Sequence, residues 1–480
     1  MDTQKRTKIV ATAGPATDDL RVLTEMVKAG MSVVRLNASH GTRADLKRRL
    51  DLVRAAARET GEIVGILLDL SGPKIRIEGF REGRVHLTEG APFTLDTALD
   101  PKAGTVEMVG VAYKNLPHDV AAGDVLLLND GQIVLAVERV DGSLIHTRVR
   151  VGGELSDRKG VNRQGGGISA PALSDKDRDD IRFAAEEKLD YIAVSFARDA
   201  ADIKLARRLV REAGGDARVV AKIERHEAIT NLDGIIEASD AVMVARGDLG
   251  VEMGYAELTG LQKTIIHRSR AHSRVVITAT QMMESMIQNP VPTRAEVSDV
   301  ANAVLDGTDA VMLSAESATG KYPVKAVEAM TEVIRGAEKY QFGHARPRMR
   351  EDGRFYGTEE AIAMAVMYTA SHMDVKAIVA LTETGATTLW MSRLRSDIPI
   401  YAFTRHDHTG RRVTMYRGVY PVVFDQSGCE APEKLYNAVF ARLLELDLVR
   451  VGDLVILTKG ELSGVQGGTN SMQILKVQLT

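Results

Sequence analysis

The run Val219-Val220-Ala221-Lys222-Ile223-Glu224 decides the fold. It is short, rich in β-branched residues and apolar except at two alternate positions near its end, as a strand buried on both faces of a parallel sheet should be. Similar runs recur at 8–12, 33–37, 65–69, 191–195, 241–246, 275–280 and 310–314, separated by stretches with helical amphipathic spacing. That makes eight. Eight parallel strands with helices between them predict a closed (β/α)8 TIM barrel, whose active site forms at the C-terminal strand ends.

Two long segments fall outside this alternation. Residues 73–171 are far longer than an ordinary strand–helix connection and read as an inserted β domain. Alternating segments at 74–77, 84–87, 125–128, 133–137 and 144–149, punctuated by Gly and Asp, predict its strands, and a small β-barrel lid is the expectation. The charged segment 346–353 reads as a linker, and a new strand–helix alternation follows it. Strands at 377–381, 400–404, 419–424, 454–458 and 472–477 predict a doubly wound α/β domain. The expected division is a barrel of 1–72 with 172–345, an insert of 73–171 and a C-terminal domain of 346–480.

Composition narrows the function. Lys and Arg number 62 against 65 Asp and Glu, a net charge of −3, which gives no basic field for nucleic acid or an anionic membrane. The longest apolar runs fall far short of the roughly 20 residues that span a bilayer. The single cysteine, Cys429, has no internal disulfide partner, and the first residues lack an apolar signal core. A small-molecule enzyme of the cytoplasm is the expectation.

Strand alternation puts Lys222 and Glu224 on one face near the strand end. A lysine inside an apolar strand is costly unless its ammonium faces negative charge, such as a transferring phosphoryl group. A structural Lys–Glu pair is the alternative. The next run leads into Arg246-Gly247-Asp248, where Gly247 permits close backbone approach and Asp248 offers a hard oxygen donor. Glu224 and Asp248 on adjacent strand ends suit Mg²⁺ or Mn²⁺. Arg35, Lys74 and Arg76 converge on the same mouth and, with Lys222, predict a multiply anionic substrate. Thr280 and Ser314 end the seventh and eighth runs with hydroxyls that can orient water or pass a proton, although a strand-end threonine is often structural. His40, after Asn37, reads most simply as a capping histidine.

Taken together, residues 35–41, 245–252 and 279–286 resemble the pyruvate kinase family, and the resemblance extends from Thr7 to the C-terminus with domain order preserved. It implies phosphoryl transfer from phosphoenolpyruvate to ADP, giving ATP and, after protonation of the enolate, pyruvate. By that resemblance Lys222 stabilises the phosphoryl group in flight and Arg35 binds it. Glu224 and Asp248 hold the divalent metal, while Gly247, Asp248 and Thr280 meet the substrate carboxylate. Arg76 and Lys159, with Asn37 and His40, face the nucleotide. Thr280 and Ser314 belong to the relay that protonates the enolate, and the group that gives up the proton stays open. A homotetramer is implied by the family alone.

One departure from the family is informative. Many members require K⁺, held near positions matching Asn37, Ser39, Asp69 and the Leu70 carbonyl, and carry a glutamate where this chain has Lys74. A lysine ammonium supplies the positive charge that K⁺ otherwise brings. Activity without K⁺ is therefore expected. In the last domain, Thr382, Thr384, Gly385, Ala386 and Thr387 precede a helix expected at 389–395 and resemble the family's effector phosphate loop. Simple N-capping by Thr384 or Thr387 is the alternative. The segment 459–470 lacks the Trp and Arg of fructose-1,6-bisphosphate-activated eukaryotic forms, so the bacterial type activated by AMP or a sugar monophosphate is the nearer resemblance. Two other readings remain: a lyase-like barrel acting on phosphoenolpyruvate without nucleotide, and a non-catalytic sugar-phosphate sensor.

Overall fold

The computed structural model describes residues 5–342, 355, 357–429, 431–460 and 468–479. The expected linker at 346–353 and much of the 459–470 segment lie outside these residues. Eight parallel strands close a barrel in sequential order: Lys8–Ala13, Val33–Asn37, Gly65–Asp69, Tyr191–Val194, Arg218–Ile223, Ala241–Ala245, Val275–Ala279 and Ala310–Leu313. The second and third match the expected bounds. In the last five, the polar residue expected to end the run (Ser195, Glu224, Arg246, Thr280 or Ser314) lies just beyond the strand. There the backbone leaves the ladder to turn, which frees these side chains from the barrel wall.

The barrel is packed inside and out. Its lumen is filled by Val10, Val33, Leu67, Val220, Met243, Ile277 and Met312, all buried. Outward-facing Ile9, Val34, Ile66, Ile192, Val219, Val242 and Val276 meet the surrounding helices. The lumen cluster runs on into apolar side chains of the C-terminal part, including Val413, Met415 and Tyr416, so that part seats against the N-terminal strand ends. The opposite end is left for chemistry.

Residues 84–163 contain a six-stranded sheet and a two-stranded one, with a separate apolar core around Phe93, Leu95, Leu126, Leu135 and Ile145. The expected strands Arg84–Leu87 and Val125–Leu128 are present, and those at 133 and 144 extend to Ile133–Asp141 and Leu144–Val151. The segment 74–77 is not a regular strand. It makes only isolated bridges, Arg76 to Gly160 and Ile77 to Val111, because the chain is crossing between two bodies there. Pro92–Asp96, Met108–Gly110, Gly153–Ser156 and Val161–Arg163 are further strands; the last three are short or polar, whereas Pro92–Asp96 opens on a proline and alternates with Phe93 and Leu95 buried.

The C-terminal sheet orders its strands Val419–Val423, Ile400–Thr404, Val375–Leu381, Leu454–Gly460 and Thr469–Lys476. Four are parallel and the last is an antiparallel edge. The helix after the Thr-rich loop spans Ala386–Leu394, starting earlier than the expected 389. Gly385, at φ 84°, takes the left-handed turn that starts it, and a Cβ there would meet Val413 at 2.8 Å. No helix among the described residues is long and apolar enough to cross a membrane.

Candidate active site

Parallel register sets the mouth. Thr12 pairs with Arg35 across the first two strands, Asn37 with Asp69, and Asp69 with Ala193. These pairings bring Arg35 within reach of both neighbours: its Nη1 donates to Thr12 Oγ1 at 2.9 Å and its Nε to Asp69 Oδ2 at 2.7 Å. The other Asp69 oxygen lies 3.2 Å from Lys222 Nζ. Asp69 thus joins the two cations expected to face the transferring phosphoryl group.

Lys222 completes a buried network. Its ammonium lies 2.8 Å from Glu224 Oε1 and donates to Ser195 Oγ at 2.7 Å, and Ser195 in turn donates to the Leu70 carbonyl at 2.8 Å. Burial pushes the Lys222 pKa down, but Asp69 and Glu224 outweigh burial and raise it, so the ammonium stays charged. Burial likewise pushes Asp69 up, and Lys222 and Arg35 reverse it to a net lowering. For Glu224 burial wins. Its pKa is raised, with Lys222 opposing and the nearby Asp248 carboxylate reinforcing the rise.

This frustration bears on metal binding. Glu224 also accepts from the Phe196 N–H at 2.6 Å, which fixes its carboxylate, and Asp248 meets Lys74 Nζ at 3.4 Å. Two hard-oxygen carboxylates, with Asp248 adding to the rise at Glu224, fit a divalent ion such as Mg²⁺, which keeps waters and substrate oxygens in its remaining positions. Among the described residues no group of three or more His, Cys, Asp and Glu side chains forms a fuller cage. The donor set therefore fits an ion shared with substrate.

Asp248 lies in the first turn of the helix Arg246–Met253, whose N-terminal N–H groups point toward the mouth. The Gly247 N–H donates to Thr280 Oγ1 at 2.8 Å, and a Cβ on Gly247 would lie 3.6 Å from that oxygen. Gly247 is helical rather than left-handed, so its value lies in the open face it leaves beside Thr280. The Thr280 hydroxyl donates to the Ala279 carbonyl at 2.7 Å, tying the seventh strand end to this helix. Ser314 sits at the neighbouring strand end, its N–H donating to Glu316 at 2.7 Å.

The remaining cations gather at one side. Burial lowers the His40 pKa, and Arg76, Arg35 and Lys74 lower it further, which keeps the imidazole neutral and shows how closely these cations crowd it. Arg76 donates to the Arg158 carbonyl at 2.8 Å, and its bridge to Gly160 places it beside Lys159, whose carbonyl accepts from the Ile77 N–H. Thr382, Thr384, Gly385, Ala386 and Thr387 lie in the C-terminal part. There Thr382 Oγ1 accepts from the Gly385 N–H at 2.9 Å, Thr384 Oγ1 from the Ala386 N–H at 3.4 Å, and Thr387 shares a 2.7 Å hydrogen bond with Thr469. The loop caps its own helix.

Sequence reasoning gave no role to Ser195, Thr12 or Arg246, and treated Asp69 only as a K⁺ neighbour. Ser195 and Arg246 did stand out as polar ends of apolar runs, the one signal available for them.

Known proteins settle the family. The pyruvate kinase barrel domain model matches residues 4–327 and the pyruvate kinase alpha/beta domain model residues 360–475. Pyruvate kinase II of Salmonella typhimurium is 52% identical over 480 residues, covering 99% of each chain, and the pyruvate kinase of Haemophilus influenzae is 50% identical over 479 residues, 99% of each chain. The crystal structure of a pyruvate kinase from Cryptosporidium parvum superimposes with a TM-score of 0.89 at 34% identity, covering 99% of this chain and 97% of that one. The chain belongs to the pyruvate kinase family and is a phosphotransferase of phosphoenolpyruvate and ADP.

Proposed function

We propose that the Lys222–Glu224–Asp248 mouth performs the transfer and that Lys74 relieves it of a K⁺ requirement. The observation that carries the reading is a buried ammonium kept charged between Asp69 and Glu224, with the Glu224 pKa raised by burial and by the nearby Asp248. Lys222 and Arg35 hold the phosphoryl oxygens while negative charge moves from the attacking ADP oxygen to the leaving enolate. Glu224 and Asp248 hold the divalent metal, which when bound supplies Lewis-acid neutralisation of the oxygens around the reaction centre. Asp248, Gly247 and Thr280 orient the substrate carboxylate at the helix N-terminus. Arg76, Lys159, Asn37 and His40 line the nucleotide side. Thr280 and Ser314 direct the proton to the enolate carbon.

Independence from K⁺ draws support from how the chain satisfies the cradle positions itself. Asp69 is engaged by Arg35 and Lys222, the Leu70 carbonyl accepts from Ser195, and Asn37 Oδ1 accepts from the Ser39 N–H at 3.0 Å. Lys74 adds a fixed positive charge next to Asp248. A lactate-dehydrogenase-coupled assay of ADP plus phosphoenolpyruvate tests this: full velocity is expected in Na⁺ or Tris buffer. A large stimulation by KCl would overturn the Lys74 assignment.

The regulatory part of the reading is activation by AMP or a sugar monophosphate at Thr382, Thr384, Gly385, Ala386 and Thr387, in a cytoplasmic homotetramer. A phosphate there competes with Thr382 and Thr384 for the Gly385 and Ala386 N–H groups. A panel of phosphorylated metabolites in the same assay, with sedimentation to count subunits, tests it. Loss of activation in Thr384→Ala with basal velocity retained is the expected result.

A further inference from the structure

Thr280 and Gln281 are consecutive non-glycine residues at φ 68° and φ 52°, in the left-handed region. For a β-branched threonine this is an unfavourable conformation, and it persists only where its surroundings impose it. Arg246 imposes it. The guanidinium is buried, and its Nη2 donates to the Thr280 carbonyl at 2.7 Å, to the Gln281 carbonyl at 3.3 Å and toward Met282 Sδ at 2.9 Å. Its Nε reaches the Ala279 and Thr280 carbonyls at 3.3 Å. Three successive carbonyls therefore converge on one fork, an arrangement the left-handed turn makes possible. The far side of the guanidinium is fixed by Asp299 at 2.7 Å and by Gln262 at 3.4 Å.

The consequence falls on a hydroxyl. With its carbonyl turned into Arg246, Thr280 presents Oγ1 to the Gly247 N–H, and Gly247 directly follows Arg246 in the chain. One arginine thus fixes both the helix start that carries Gly247 and Asp248 and the threonine that faces it. We infer that Arg246 is a positioning residue for proton transfer, holding Thr280 in a strained turn so that its hydroxyl addresses the enolate carbon. This rests on Thr280 serving the relay.

The isolated half-reaction is the test. In deuterated water with Mg²⁺ and ATP, the pyruvate methyl group loses a proton to the relay and regains a deuteron, with no other bond changed, and NMR follows the exchange. Arg246→Lys keeps the charge and loses the fork; exchange and kcat are expected to fall at least tenfold with KM for ADP within twofold. Gln281→Gly removes strain at an exposed position while leaving the Thr280 hydroxyl in place. In the Arg246→Lys background it is expected to restore the melting temperature and leave the exchange slow. Exchange at the wild-type rate in a folded Arg246→Lys enzyme, or rate recovery in step with melting temperature, overturns the inference. Thr280→Val separates the two readings: wild-type exchange there removes Thr280 from the relay itself, whereas slow exchange in Thr280→Val beside normal exchange in Arg246→Lys removes only the positioning role.

Discussion

At the N-terminal ends of the barrel strands, Asp309 is gripped by both Arg393 nitrogens at 2.6 and 2.7 Å and accepts from the Val276 N–H at 2.8 Å. At the C-terminal ends, Lys222 stands among Asp69, Glu224 and Ser195. Both groups are buried and both are ionic. At the bottom a carboxylate meets its own guanidinium and is covered by the C-terminal part; Asp190 with Arg411 repeats the pattern, although burial still pushes Asp190 up to about 6. At the mouth Glu224 faces another carboxylate, and its pKa is raised. At these two pairs the bottom matches each carboxylate with a guanidinium and holds structure. The mouth is left unbalanced, as the metal ion and anionic substrate proposed to bind there require.

Breaking one pair at each end separates these roles. Arg393→Met strands Asp309, whose pKa Arg393 holds down against burial, and the loss of a buried partner is expected to cost about 3–5 kcal/mol of stability. Turnover per folded molecule should stay within about threefold, since Arg393 touches nothing at the mouth. The double variant Arg393→Met with Asp309→Leu should recover much of that loss, because removing both charges leaves none unpaired. Urea unfolding followed alongside kcat checks both. An enzyme equally stable without Arg393 would contradict the structural role of the bottom.

Lys222→Met should show the reverse pattern. Losing one electrostatic stabiliser of a transferring group is expected to cost about 3 kcal/mol of barrier, on the order of a hundredfold or more in kcat. Glu224 has a raised pKa and can take up a proton, and Asp69 keeps its Arg35 partner, so the fold should survive with a smaller loss of stability than Arg393→Met. Near-normal turnover in a folded variant would return Lys222 to a structural ion pair and revive the sensor reading.

The sequence carries this contrast unevenly. Lys222 and Glu224 could be read because alternation within one apolar run fixes which residues share a face. The eight runs could be counted because each stands between amphipathic stretches. The ladder stops one residue before Ser195, Glu224, Arg246, Thr280 and Ser314, a boundary that hydrophobicity does not show. Lys74-Ile75-Arg76-Ile77 has the period of a strand and buries both isoleucines in the insert, yet only Arg76 and Ile77 find bridge partners. Partners distant in sequence were invisible. Arg393 with Asp309, and Arg246 with the 279–281 carbonyls, depend on closure of the whole barrel.

Glu252 extends the comparison to where the insert meets the mouth. It lies in the same helix as Asp248, and its Oε2 accepts from the His226 N–H at 3.0 Å. Arg225, Glu227 and Asn162 face it, and Lys74 lines the same small cavity. Its neighbours also grip the insert: Arg225 donates to the Ile168 carbonyl at 2.9 Å, and Glu227 accepts from the Gly167 N–H at 2.6 Å. Burial pushes Glu252 from 4.5 up to about 7, with His226 and Arg225 opposing. A carboxyl whose folded pKa exceeds its unfolded value adds stability below the unfolded pKa, and that contribution is lost as pH rises through the folded one. The wild type should therefore lose stability relative to Glu252→Gln between about pH 4.5 and 7, by up to about 3 kcal/mol. Melting temperatures of both proteins across pH 5–8 read the difference directly. A constant gap would mean that Glu252 is compensated like Asp309, and that the mouth's excess of acid ends at Glu224 and Asp248.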